Sequence, residues 1–130
     1  MPRKPSEQLT PVELDIMQVL WEAGPATVQT VRQRLPREAA YTTVQTMLNV
    51  LLRKGKVKRT LKDRAYVYKP VVSRRQIVSQ AIGDIVERLF GGSPEELVMS
   101  MVETKHLTPD KLEKLKGMLE AHREERDDRA

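Results

Sequence analysis

Apolar residues near the start of the chain recur at helical spacing: Val12, Ile16, Val19 and Leu20 fall on one side of a helix. In "LTPVELDIMQVLWEAGP" Thr10 and Glu13 form a capping box, Pro11 suits the first helical position, and Gly24-Pro25 ends the helix. Trp21, near that end, reads as a core residue. A short second helix starts at a Thr27 cap and runs through Val28, Val31 and Leu35 to Pro36, with Arg32, Arg34 and Arg37 on or beside its exposed side. The third covers 42–54 and stops at Gly55. There the period changes from helical to alternating. "KVKRTLKDRAYVYKP" predicts strands at 57–61 and 65–69, a turn at "KDR" and an end at Pro70. Tyr66 and Tyr68 then share one face, and Val57 can lie against them.

From "SRRQ" the pattern is helical again, and Ser73 with Gln76 makes a second capping box. Ile77, Val78, Ala81, Ile82, Ile85, Val86, Leu89 and Phe90 form a broad apolar stripe, which Gly91-Gly92 breaks. "SPEE" caps a helix carrying Leu97, Val98, Met101 and Val102, and "TPDKLEKLKGMLEAH" opens the last, with Leu112, Leu115 and Leu119 at a/d-like spacing. The charged tail "REERDDRA" is expected to fray. These elements make a mainly α fold with a small β-hairpin: a winged helix-turn-helix over residues 1–72, then a C-terminal helical region over 73–130. The apolar surplus after residue 76 would serve either a dimer core or a ligand pocket.

The third helix carries the most informative pattern. Val44, Met47, Leu48 and Leu51 fall on one side; Thr42, Gln45, Thr46 and Asn49 fall on the other. That second face is polar but uncharged. Solvated helix faces lean on Lys and Glu, whereas Gln and Asn can pair with adenine N6 and N7, and a Thr methyl can pack on thymine. Arg53, Lys54, Lys56, Lys58 and Arg59 follow the helix, and Lys62 and Arg64 sit at the hairpin tip, positions from which phosphates beside a groove could be held.

Charge supports that division. The 130 residues carry a net charge of +5, and the distribution is uneven: 15 Lys and Arg against 6 Asp and Glu up to Arg75, then 8 against 12 from Gln76. One part is suited to a polyanion and the other to something else. Hydrophobic content of 39% allows one ordinary domain or two small ones. The absence of cysteine excludes disulfides, thiolate metal sites and a cysteine nucleophile. No apolar run approaches the ~20 residues of a membrane span, and "MPRKPSEQLT" has no apolar segment behind its cations. Membrane insertion is not expected, and the cytoplasm is the expected compartment. His106 and His122 stand too far apart for a local ligand pair, and Gly91-Gly92 lacks the strand, spacing and lysine of a phosphate loop. No enzyme, metal or cofactor is expected.

The chain resembles the BlaI/MecI/CopY repressors of β-lactam resistance and copper homeostasis over residues 9–119. The likeness rests on "LTPVELDIMQVLWEAG", on "YTTVQTMLNVLLRKGKV" leading into the Tyr66/Tyr68 hairpin, and on "ELVMSMVETKHLTPDKLEKLKGML". It implies a homodimeric winged-helix repressor on palindromic operators of a β-lactam-resistance-type or related stress operon and its own gene. Its recognition helix corresponds to 42–54, which adds Thr43 to Thr42, Gln45, Thr46 and Asn49. Its dimerising helices correspond to those bearing Ile77, Ile82, Ile85, Leu89, Leu97, Met101, Leu112, Leu115 and Leu119. The copper branch carries a cysteine-rich metal hook, so copper sensing by that route is excluded here. In the β-lactam branch a protease triggered by a membrane sensor cuts an Asn-Phe bond, and the matching pair here is Ser100-Met101. Two other readings of the residues stay open: a small-molecule-sensing regulator, and a winged helix used for protein contact.

Overall fold

The computed structural model describes residues 8–129. The expectation about the first residues of the chain, and Ala130 of the charged tail, lie outside that range. Element order is α1 (Pro11–Ala23), α2 (Val28–Arg34), α3 (Tyr41–Arg53), β1 (Val57–Lys62), β2 (Ala65–Pro70), α4 (Arg74–Leu89), α5 (Pro94–Glu103) and α6 (Pro109–Arg129). The fold is mainly helical with one antiparallel hairpin. The chain divides into two compact units, Met1–Gln80 and Ala81–Ala130, and the division falls within α4.

Local chemistry sets the boundaries in the first unit. Thr10 Oγ1 accepts the Glu13 amide at 3.2 Å and the Glu13 carboxylate accepts the Thr10 amide at 3.4 Å, which closes the capping box of α1. Thr27 accepts the Thr30 amide at 3.2 Å and starts α2. α3 begins at Tyr41, one residue before the expected start, on an Ala40 cap that offers no side-chain bond. It ends where Gly55 takes a φ of 74°, a conformation that costs other residues more. The hairpin pairs Val57 with Pro70 through to Lys62 with Ala65, leaving a two-residue turn at Asp63 and Arg64. Both have positive φ, 51° and 68°, the hand that matches the twist of the strands.

A single bridge extends the sheet. Ala26, between α1 and α2, exchanges both backbone bonds with Tyr68 at 2.9 and 2.8 Å. The core beneath collects Ile16, Met17 and Leu20 of α1, Val31 of α2, Val44, Leu48 and Leu51 of α3, and Val57 and Tyr68 of the hairpin. Each such side chain contributes about 1.5–3 kcal/mol through burial. Trp21 packs against this core, as expected, and its indole N–H donates to the Val72 carbonyl at 2.9 Å, fixing the exit of the hairpin onto α1.

The second unit shows a different balance. α4 starts in the first unit, where Ser73 and Gln76 cap it reciprocally at 3.1 and 2.7 Å; within the second unit Ser93 caps α5 at 3.2 Å. Among its described residues Val86 alone is buried. Leu89 is 74% exposed and Ile82 48%. α6 runs through the charged tail to Arg129, so the expected fraying is corrected. Its residues explain why: Glu and Arg are good helix formers, and Arg123 with Asp127 stands at i, i+4 spacing.

Candidate nucleic-acid interface

Buried Val44, Leu48 and Leu51 seat α3 in the core, with Met47 packed beside them. This fixes which residues the helix turns outward. Thr42, Thr43, Thr46 and Asn49 are exposed, as is Arg53 at the C-terminal end; Gln45 is half-buried on the flank facing the hairpin. The Thr46 hydroxyl donates to the Thr42 carbonyl at 2.8 Å. Gln45 Nε2 donates to Asn49 Oδ1 at 3.2 Å and to the Tyr68 hydroxyl at 2.9 Å. The outer face is therefore polar, uncharged and partly ordered before any ligand arrives.

The cations form a margin along the hairpin that follows α3. Lys58 and Arg59 on β1, Lys62 at its end and Arg64 in the turn are exposed, and Lys56 is half-buried. The Arg59 guanidinium lies 4.0 Å from the centre of the Tyr66 ring, a cation–π contact that holds it along the hairpin. Lys54 does not belong to this margin. Its Nζ sits 2.8 and 2.9 Å from the two Glu13 carboxylate oxygens and 2.9 Å from the Gln8 carbonyl. The side chains are 10% and 3% exposed, so this pair locks the end of α3 to the start of α1. Pulling Lys54 out to a phosphate would leave the Glu13 charge buried alone, which costs more than the contact returns. The phosphate role expected of Lys54 would require this pair to open.

The turn before α3 is held from α2. Arg32 Nε donates to the Ala39 carbonyl at 2.9 Å, and Arg37 pairs with Asp15 of α1. Of the apolar residues expected at a dimer contact, Ile77, Leu97 and Leu115 are half-buried, whereas Ile82, Ile85, Leu89, Met101, Leu112 and Leu119 are exposed. Ser100 and Met101 lie within α5, and the Ser100 carbonyl accepts the Thr104 amide at 2.9 Å and the Thr104 hydroxyl at 2.7 Å. A protease meets that peptide bond only after the turn opens. Among the described residues no group of three or more His, Cys, Asp or Glu could hold a metal ion, and no helix is long and apolar enough to cross a membrane.

The family model described as penicillinase repressor matches residues 9–121. The chain belongs to that family. A curated penicillinase repressor of Bacillus licheniformis is 25% identical over 118 residues, covering 89% of this chain and 92% of the relative. The transcriptional regulator BlaI of Mycobacterium tuberculosis (strain CDC 1551 / Oshkosh) is 34% identical over 100 residues, covering 74% and 72%. Among solved structures, the DNA binding domain of the repressor BlaI matches with 28% identity and a TM-score of 0.49, over 55% of this chain and 90% of that one.

The penicillinase repressor family is one of transcriptional repressors, not of enzymes. In this member of it, two site features escape the sequence. Tyr68 reads only as sharing a hairpin face with Tyr66, yet its hydroxyl reaches the polar flank of α3. Lys54 reads as one more cation in a basic run, and its partner stands 41 residues earlier. The one available signal is Glu13, an acid at the start of an apolar helix that is needed for a cap and lies on the side turned to the core.

Proposed function

We propose that this protein represses transcription in the cytoplasm as a homodimer, reading palindromic operator DNA through α3. Residues 1–72 bind DNA and residues 73–130 hold the dimer. One observation carries the reading: the outer face of α3 presents Thr42, Thr43, Thr46 and Asn49 without a charge among them, while exposed cations follow at the end of the helix and along the hairpin. Hydroxyl and amide groups can discriminate base edges in the major groove. Arg53, Lys56, Lys58, Arg59, Lys62 and Arg64 can hold phosphates and release counterions, which supplies affinity without sequence preference. The exposed apolar residues of α4, α5 and α6 support a contact between two copies, which doubles the number of half-sites engaged.

The regulated genes on this reading are a β-lactam-resistance-type or related stress operon and the protein's own gene, with a membrane sensor-protease system acting on Ser100-Met101. Cleavage there would part α6 from α4 and loosen the dimer, so that each half would hold DNA alone.

Footprinting the full-length protein on DNA upstream of its own gene tests the proposal. Protection should appear as two inverted half-sites with centres about one helical turn or a multiple apart. Diffuse protection with no repeated sequence would overturn it.

A further inference from the structure

One side chain of the hairpin, Tyr68, reaches across to the polar flank of α3. Tyr68 is fully buried, its backbone N–H and carbonyl are both bonded to Ala26, at 2.8 and 2.9 Å, and it stands opposite Arg59 in the register with β1. Its ring cannot swing without opening the small sheet and the core together. The hydroxyl at its end meets Gln45 Nε2 at 2.9 Å, and the same nitrogen reaches Asn49 Oδ1 at 3.2 Å.

We propose that Tyr68 is a positioning residue of base readout: through Gln45 it holds the Asn49 amide with its NH2 group outward, so that Asn49 reads a purine at N7, adenine above guanine. The inference rests on the reading that α3 contacts bases. A carboxamide nitrogen has two N–H donors, and in Gln45 both are used, one on Tyr68 and one on Asn49. Gln45 keeps only its carbonyl oxygen for DNA. It is a link in a chain rather than a two-armed reader. Asn49 receives the second bond on Oδ1, which fixes the flip of its amide and turns Nδ2 away from the flank. Oδ1 retains one lone pair. An outward N–H beside a half-free carbonyl matches the adenine edge, which offers N7 as acceptor and N6 as donor. Guanine places O6, a second acceptor, where Asn49 has its own carbonyl, and cytosine offers a donor where Asn49 already donates.

The experiment titrates the full-length protein and its variants against operator duplexes, with each operator base pair replaced in turn by the other three. Asn49→Ala locates the position, as the one whose preference it flattens. There the wild-type protein should prefer adenine by roughly tenfold over cytosine, the discrimination typical of one good amide contact. Tyr68→Phe keeps the buried ring and removes only the hydroxyl, and it should reduce that preference severalfold while every other position and binding to random DNA stay unchanged. A merely structural role would lower all of them together. Gln45→Glu sharpens the test, because a carboxylate accepts from both neighbours. Tyr68 then donates to it, the Asn49 NH2 turns inward to do the same, and Oδ1 faces out. Preference at that single position should move toward cytosine, whose N4 amine donates. This arm stands even if Tyr68→Phe does not fold. A wild-type preference for cytosine, or an unaltered preference in both Tyr68→Phe and Gln45→Glu where Asn49→Ala has flattened it, would overturn the inference alone. An Asn49→Ala protein with wild-type preference at every position would instead remove the reading that α3 contacts bases.

Discussion

The two units of this chain treat apolar side chains in opposite ways. In Met1–Gln80, three helices and a hairpin enclose Ile16, Met17, Leu20, Leu48, Leu51 and Tyr68, and even a Lys–Glu pair is closed off from water. In Ala81–Ala130, Ile82, Ile85, Leu89, Met118 and Leu119 remain open. A core that is satisfied within one chain can hold a surface in fixed geometry, as base readout demands. Apolar stripes left open ask for a partner, and the proposed dimer supplies one. On the proposed reading, one unit reads DNA and the other counts copies.

Breaking that contrast at the partner should give the largest effect. Ile82→Asp combined with Leu89→Asp places charges on residues already exposed in the single chain, so the monomer should tolerate them. If they lie at the dimer contact, sedimentation should show monomers and operator affinity should fall by ~10²–10⁴ through lost linkage. The melting of the first unit should not change. Trp21 is the single tryptophan of the chain and packs on the core of that unit, so its fluorescence reports this directly. A protein that stays dimeric would put the contact elsewhere.

Next in size is the buried ion pair. Glu13→Ala strands the Lys54 charge and should cost ~3–5 kcal/mol in denaturant unfolding followed at Trp21, whereas Glu13→Leu with Lys54→Met should recover most of the loss. Equal losses in the single and double variants would mean that the capping role of Glu13, not the pair, dominates. The same leucine truncation then compares the two units: Leu48→Ala, at a fully buried site, should cost ~2–5 kcal/mol, and Leu89→Ala should stay within ~0.5 kcal/mol by the same signal. Similar costs at both positions would erase the distinction.

The smallest effect lies at the turn. Arg64 holds a φ of 68°, a conformation a glycine adopts freely, so Arg64→Gly should stabilise the hairpin by up to ~1 kcal/mol. If Arg64 holds a phosphate, the same change should weaken DNA binding and lower the salt slope by about 0.9. A more stable protein with an undiminished slope would take Arg64 out of the interface.

What could be read in the sequence is what depends on near neighbours. The capping boxes at Thr10 and Ser73, the caps at Thr27 and Ser93, the stop at Gly55 and the alternation from Val57 to Pro70 each involve groups within a few residues of one another. The wheel of α3 also separated Val44, Leu48 and Leu51 from Thr42, Thr46 and Asn49, because one helical period decides both faces. The remainder was set by chain segments meeting in space. Ala26 bonds Tyr68, Trp21 reaches Val72 and Lys54 finds Glu13 across separations of 41 residues or more, and no periodicity encodes such pairings. Gln45 was legible as polar and outward, but its tie to Tyr68 depends on where the hairpin folds back.

The central claim is that the outer face of α3 discriminates sequence while the cations around it only attract. Titrating Asn49→Ala at fixed salt against the operator and against a scrambled duplex of equal length tests it most directly. Operator binding should weaken by ~1–3 kcal/mol and scrambled binding should not change. Equal weakening on both duplexes would contradict the claim.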